Sequence, residues 1–325
     1  MNSNNSYTTK VGVYEASMLD EMGGLLDELY GGIKPRLGNL LVAHRVIRVY
    51  QHNKLLGFCT CYLNEDLRDK YLIGNYQSVD NEQVASLLLG TASELARNKT
   101  FRSLLGPMNG NTWQTYRFST NTNRPFFLEH IHKPYYMNQW KNFGFEVCSW
   151  YCSNREEIHS DTEYVEDENY YEEEGLTHRP LNLKEPQDDL ARLHEFCNRV
   201  FASNEYFSPI DRNSFIELYQ PVLPIMEAPL TDLAFDNGKL VGFIFGIRNP
   251  VGPSEVILKT IARDPARKYY KLAHTLTNAF HKRVKEMGCN GVIHAYMHIG
   301  NKSRNMSRKF GGERLKDHVL LEMLI

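Results

Sequence analysis

Residues 259–287 read K-T-I-A-R-D-P-A-R-K-Y-Y-K-L-A-H-T-L-T-N-A-F-H-K-R-V-K-E-M, and this stretch decides the fold. The β-rich run Val256, Ile257 and Leu258 leads into it. The chain then turns at Asp264-Pro265, and Ala273, Leu276, Phe280, Val284 and Met287 recur at helical spacing. Gly288 stops that helix. Its first turn carries Arg267, Lys268 and Lys271, although cations are disfavoured at the positive end of a helix dipole. A bound anion reverses that penalty, since free backbone N–H groups, the dipole and a ring of cations then act on one phosphate. The alternative is a basic face in solvent, tolerated at a few tenths of a kcal/mol per charge.

Downstream, residues 292–299 alternate, with His294, Tyr296 and His298 on one face and Ile293, Ala295 and Met297 on the other. Gly300-Asn301, a short helix over 303–310, Gly311-Gly312 and a strand over 318–324 follow. Upstream, Asn237-Gly238 joins two β-rich runs as a hairpin turn, and residues 187–201 and 211–219 read as helices.

In the first half, ten polar residues are expected to fray, and residues 11–14 to form a strand. Met18, Met22, Leu25, Leu26 and Leu29 mark a helix stopped by Gly31-Gly32. Residues 44–50 and 55–63 read as a hairpin and 71–77 as a further strand. Asp80 is the expected cap of a helix burying Val84, Leu87, Leu88, Ala92 and Leu95. A strand over 103–105 enters Gly106-Pro107-Met108-Asn109. The long polar and aromatic stretch 110–124 follows, where Trp113, Tyr116, Arg117 and Phe118 line either a ligand pocket or a domain seam. Pro134-Tyr135-Tyr136 opens another helix, and Phe143-Gly144-Phe145 leads into a strand.

A chain of 325 residues exceeds one ordinary core, so two domains are expected. The net charge of -2 argues against a general nucleic-acid or membrane-surface role. Six scattered cysteines read as reduced thiols rather than a disulfide scaffold. With no signal-peptide pattern and no run near ~18 apolar residues, a cytoplasmic chain is expected. The acidic stretch around Glu156, Glu157, Asp161 and Glu163 reads as a solvated linker. The expected division is 1–155, a linker over 156–176, and 177–325.

Two segments recur in order. Lys54-Leu55-Leu56-Gly57-Phe58 matches Lys239-Leu240-Val241-Gly242-Phe243, and Lys141-Asn142-Phe143-Gly144-Phe145 resembles Arg308-Lys309-Phe310-Gly311-Gly312. Shared order, each time with a hairpin before and a helix-to-strand turn after, indicates one duplicated fold.

With that repeat, the second half resembles the GNAT (GCN5-related N-acetyltransferase) superfamily, and the whole chain looks like its tandem double-domain members. The resemblance rests on Pro265 followed by Lys268-Tyr269-Tyr270-Lys271-Leu272-Ala273, and on Asn301 followed by Phe310-Gly311-Gly312. It implies an α/β (α+β) chain of two acyl-CoA N-acyltransferase-like domains, each a mixed, mostly antiparallel sheet flanked by helices. By that likeness Lys268, Tyr270, Lys271, Leu272 and Ala273 hold the pyrophosphate of acetyl-CoA or another acyl-CoA. Asn301 orients the pantetheine arm, and backbone N–H groups near Ile261, Ala262 and Arg263 hold the thioester oxygen. Two departures stand out: Lys271 occupies the central glycine position, and Arg308 the position of a tyrosine acid. In the first copy Ser78-Val79-Asp80-Asn81-Glu82 replaces the phosphate turn, so only the second copy is expected to bind acyl-CoA.

Acyl transfer to an amine needs a base, an oxyanion donor and an acid at the leaving thiolate. His294, Tyr296 and His298 are candidates for proton transfer, with Glu255 the rival base; each also has the plain reading of a hydrogen-bonded core group. No metal is expected, because no paired ligand lies near His294 and His298 in sequence. The expected activity is N-acyl transfer to an amine-bearing small molecule or peptide, without a nucleic-acid or membrane partner. The alternatives are a catalytically degenerate ligand- or partner-binding protein, and an aminoacyl transferase that takes its donor from aminoacyl-tRNA.

Overall fold

A computed structural model describes residues 6–325, and the elements run in chain order as follows. First come β1 (Tyr7–Gly12), α1 (Met18–Tyr30), β2 (Arg45–Gln51), β3 (Lys54–Tyr62), β4 (Lys70–Ser78), α2 (Glu82–Arg97), β5 (Ser103–Gly106), β6 (Phe118–Ser119), α3 (Tyr136–Phe143) and β7 (Glu146–Glu157). Then follow α4 (Glu168–Glu173), β8 (Leu176–Arg179), α5 (Gln187–Val200), α6 (Arg212–Tyr219), β9 (Thr231–Asp236), β10 (Lys239–Arg248) and β11 (Glu255–Arg263). Last are α7 (Leu272–Glu286), β12 (Gly291–His298), α8 (Ser303–Lys309) and β13 (Glu313–Leu324). The chain is α+β and forms two compact units. Unit one is Met1–Trp150 with Tyr206–Ser208 and Asp317–Ile325; unit two is Tyr151–Glu205 with Pro209–Lys316.

In unit one β1, β2, β3 and β4 pair antiparallel in succession. β4 then pairs parallel with β5, which takes residues 321–324 of β13 antiparallel. Unit two repeats the plan: β8, β9, β10 and β11 are antiparallel neighbours, β11 is parallel to β12, and β12 is antiparallel to residues 151–157 of β7. Each unit is thus a mixed, mostly antiparallel sheet with one parallel pair, joined by a crossover helix, α2 or α7. Both expected hairpins form; His52 and Asn53 at one turn, and Asn237 and Gly238 at the other, take positive φ, the conformation that matches strand twist.

The crossover helices carry the cores. Val84, Leu88, Leu89 and Ala92 of α2 pack on Ile47, Val49, Cys59 and Ile73. Leu272, Leu276, Phe280 and Val284 of α7 pack on Val241, Ile244, Val256 and Val292. The recurring Lys-x-x-Gly-Phe now has a physical reason. A Cβ on Gly57 would stand 2.9 Å from Leu88 and 3.0 Å from Val84, and one on Gly242 would stand 2.6 Å from Leu272. Each glycine lets its crossover helix lie directly on the sheet.

Several expectations are corrected. Strand β1 begins at Tyr7, within the stretch expected to fray; residues 1–5 lie outside the described residues. Helix α2 is capped by Asn81 rather than Asp80. Residues 156–176 are not a linker: they hold the end of β7, helix α4 and the start of β8, with Glu156, Tyr170 and Tyr171 buried. Nor does the second unit keep the C-terminal strand, since residues 317–325 complete unit one. All six cysteines are free thiols.

Gly242→Ala is expected to destabilise the protein by about 1–3 kcal/mol, the usual cost of forcing an extra methyl group into a packed core. Chemical denaturation monitored by circular dichroism measures it.

Candidate functional site

The parallel ladder of β11 and β12 runs from Glu255–Gly291 to Leu258–His294 and ends there. Both strands are irregular at that point. The register of β11 against β10 slips between Phe245 and Gly246, leaving Lys259 as the extra residue. The register of β12 against β7 slips between His294 and Met297, and Tyr296 sits at φ 57 within the slip. Two bulges at one level therefore part the strands into a wedge. Asp264 N–H donates to Val241 on β10. By strand alternation the N–H groups of Ile261 and Arg263 then point to the other edge, toward the wedge, whereas that of Ala262 points to β10.

Helix α7 starts beside this opening. A 3-10 turn over Arg267–Tyr269 precedes it, Lys271 is its N-cap residue, no side chain caps it, and no acidic residue occupies its first turn. Its leading N–H groups are left for solvent or a ligand. Lys271 has ordinary right-handed angles, φ -83 and ψ -22, so a side chain replaces glycine there without strain. Tyr270 and Lys271 are exposed, and Ala273 is partly buried in the first turn. Lys268, by contrast, lies 2.6 Å from Asp236, which also accepts a 2.7 Å hydrogen bond from Tyr269. The Leu272 side chain is fully buried, so it packs the core and only its backbone faces the turn. Asn301 is exposed just beyond β12, its N–H bonded to the His298 carbonyl.

Unit one closes its own wedge. Its parallel ladder ends at Leu72–Leu105. The segment after β5, entered through the cis Gly106-Pro107 bond, returns across the gap: Met108 N–H donates to Ile73 at 2.7 Å, and Asn75 N–H donates to Asn109 Oδ1 at 2.8 Å. A Cβ on Gly74 would lie 2.3 Å from that Asn109 oxygen, so only glycine admits the plug. At the start of α2, Asn81 Oδ1 accepts the N–H groups of Gln83 and Val84, and Glu82 occupies the first turn. Those amides are satisfied and the local charge is negative. Trp113 serves unit one's own packing, with its Nε1–H on the Ser208 carbonyl and its ring edge-on to Phe207.

The predicted proton-transfer residues separate. Glu255 starts β11, six residues before Ile261 and so about 20 Å away along the strand. There it pairs with Arg155 at 2.7 Å and Asn249 at 3.1 Å, so it is not brought to the wedge. His294 is buried at the apex on the α7 side, its Nε2 3.1 Å from Glu156 Oε2; burial keeps its pKa below the ordinary imidazole value. Tyr296 and His298 lie on the diverging arm. Lys259 places its ammonium 4.4 Å from the Tyr296 ring. His298 Nε2 is 3.6 Å from Glu205, and its Nδ1 accepts the Gly300 N–H. The expected alternation of residues 292–299 thus fails at the bulge.

Two buried polar clusters escaped the sequence reading. Glu156, from the supposed linker, accepts from His281 Nε2 at 2.7 Å, from His294 and from the Tyr164 hydroxyl. Burial alone would raise the Glu156 pKa, but the hydrogen bonds from both imidazoles and the His281 charge bring it down to about 2. The readable signal was Thr277 and His281, four apart on the apolar side of α7. In the second cluster the fully buried Asp232 meets Arg283 and His178, and Arg283 also reaches Glu166 at 3.0 Å. The hydrogen bond to Asp232 raises the His178 pKa despite burial. A raised folded-state value stabilises below the unfolded pKa of about 6.5 and is lost as pH rises through the folded value. The stability margin of wild type over His178→Gln is therefore expected to shrink as pH rises above about 6.5. Urea titrations of both proteins at each pH measure it.

No family model and no curated protein matches the sequence. Solved structures do. A tandem GNAT protein from the clavulanic acid biosynthesis pathway aligns at 12% identity over 98% of each chain with a TM-score of 0.62. A GCN5-related N-acetyltransferase from Sphaerobacter thermophilus aligns at 11% identity over 97% of this chain and 95% of its own, with a TM-score of 0.56. Another from Kribbella flavida aligns at 9% identity over 100% of this chain and 72% of its own, with a TM-score of 0.55. The chain has the tandem GNAT fold along its full length. Among the described residues no helix is long and apolar enough to cross a membrane.

Proposed function

We propose that the protein is an acyl-CoA-dependent N-acyltransferase, with acetyl-CoA as donor and an amine-bearing small molecule or peptide as acceptor. One contrast carries this reading: the parallel ladder of unit two ends beside an uncapped, cation-bearing helix start, whereas in unit one the chain crosses the gap beyond the ladder and Asn81 caps the helix. An uncapped helix start with Lys271, and with Arg267 in the preceding turn, suits a pyrophosphate. The N–H groups of Ile261 and Arg263 suit the thioester oxygen, which gains charge as the amine attacks. Asn301, at the mouth, is the group for the pantetheine amides.

In the reaction the amine nitrogen bonds to the carbonyl carbon, the C–S bond breaks, and the amine proton ends on the departing thiol. Tyr296 and His298 are the proposed proton carriers, since Glu255 is remote and His294 is engaged with Glu156. Lys268 is secondary, because phosphate must compete with Asp236 for its ammonium.

Calorimetric titration of acetyl-CoA tests the cofactor site. Wild type is expected to bind, and Lys271→Glu to bind at least about tenfold more weakly, a difference of about 1.4 kcal/mol. No heat with wild type, or equal affinity in the variant, would remove the assignment.

A binding protein without turnover is the second reading, favoured by Arg308, which is exposed on α8 and has no proton to give at neutral pH. Thiol release from acetyl-CoA across an amine panel separates the two. Turnover that falls in Tyr296→Phe and His298→Gln without loss of acetyl-CoA affinity supports catalysis; binding without thiol release on any amine supports the second reading.

A further inference from the structure

We infer that Glu156, His281 and His294 form a binding site for a divalent transition-metal ion, zinc being the best match to the donors. The three residues come from β7, α7 and β12, and all are at least nine-tenths buried. Their donor atoms lie within 4.8 Å of one another. Glu156 Oε2 is 2.7 Å from His281 Nε2 and 3.1 Å from His294 Nε2. Zinc with bonds of about 2.0–2.1 Å to nitrogen and oxygen sets tetrahedral ligands about 3.3 Å apart, so to admit the ion His281 must draw back from the carboxylate by about 0.6 Å and His294 by about 0.2 Å.

The surroundings favour a metal over a simple hydrogen-bonded trio. His281 Nδ1 lies 2.7 Å from the Thr277 carbonyl one turn back, which turns Nε2 toward the centre and fixes the ring as metal-bound imidazoles usually are. Phe310 stacks on the same ring at 4.5 Å and 18°. The Tyr164 hydroxyl holds the second carboxylate oxygen at 2.6 Å, completing the outer support that a ligating carboxylate needs. Glu156 and Tyr164 also line a cavity of about 520 Å³, so the carboxylate side of the cluster adjoins open space. In the metal-free protein protons occupy the places between the donors; metal binding displaces them to solvent.

The second cluster shows what excludes a metal. Glu166, His178 and Asp232 offer donors at similar spacing, but the Arg283 guanidinium pairs with both carboxylates and already supplies the cation. Among the described residues no arginine or lysine hydrogen-bonds to Glu156, so its partners there are two imidazoles and a phenol, and the imidazole nitrogens can give up their protons to solvent when a metal takes their place.

Cobalt(II), a spectroscopic substitute for zinc, tests the site on the intact protein after dialysis against a chelator. One equivalent is expected to give the visible bands of four-coordinate cobalt without thiolate charge-transfer bands, and zinc to displace it with proton release. Glu156→Gln and His294→Gln are expected to weaken cobalt binding by at least about a hundredfold, beyond the ten- to hundredfold loss usual for an outer-shell partner. Wild type without such bands, bands with thiolate character, or equal cobalt affinity in both variants would overturn the proposal. Because the wild-type spectrum is read first, a variant that fails to fold leaves the test decisive.

Discussion

A parallel strand pair stays hydrogen-bonded only while the residues of both strands keep step. In unit two, one extra residue near Lys259 and a left-handed Tyr296 break step at the same level, and the ladder between β11 and β12 stops at Leu258 and His294. The rest of the unit depends on that stop. Crossover helix α7 begins where the strands diverge, and Leu272 seats it on the bare backbone of Gly242. Its leading amides consequently face the opening rather than the core.

The two units show how one architecture takes opposite ends. Each has a bulged strand before its crossover helix, a glycine beneath that helix and a parallel ladder that ends early. Unit one then uses Asn109 and Asn81 to satisfy the backbone N–H groups of Asn75, Gln83 and Val84. Buried amides must find partners, and a chain that supplies them from within gains order and gives up a binding site.

The architecture was legible because its signals are periodic or steric. The Leu276, Phe280 and Val284 stripe, the Asn237-Gly238 turn and the repeated Gly57 and Gly242 each reflect a local rule that tertiary structure obeyed. The acidic stretch misled because composition averages over residues: Glu157 and Glu163 are ordinary solvent-facing acids, whereas Glu156 turns inward and meets two imidazoles. Proton-transfer residues were only half legible. Alternation along β12 grouped His294 with Tyr296 and His298, but a bulge lies in pairing, which sequence periodicity does not encode, and His294 faces Glu156 instead. Glu255 was misplaced for a related reason, since its chemistry suited a base while its position on β11 did not. The division of the chain was also hidden, because nothing in residues 317–325 marks which sheet they complete.

That last strand inverts the order of construction. Residues 321–324 pair with β5, and Val319 and Leu321 belong to the core built around α2. Unit one therefore completes its sheet only after the chain has passed through nearly all of unit two. Removal of residues 317–325 would therefore strike unit one rather than the unit that precedes them in the chain.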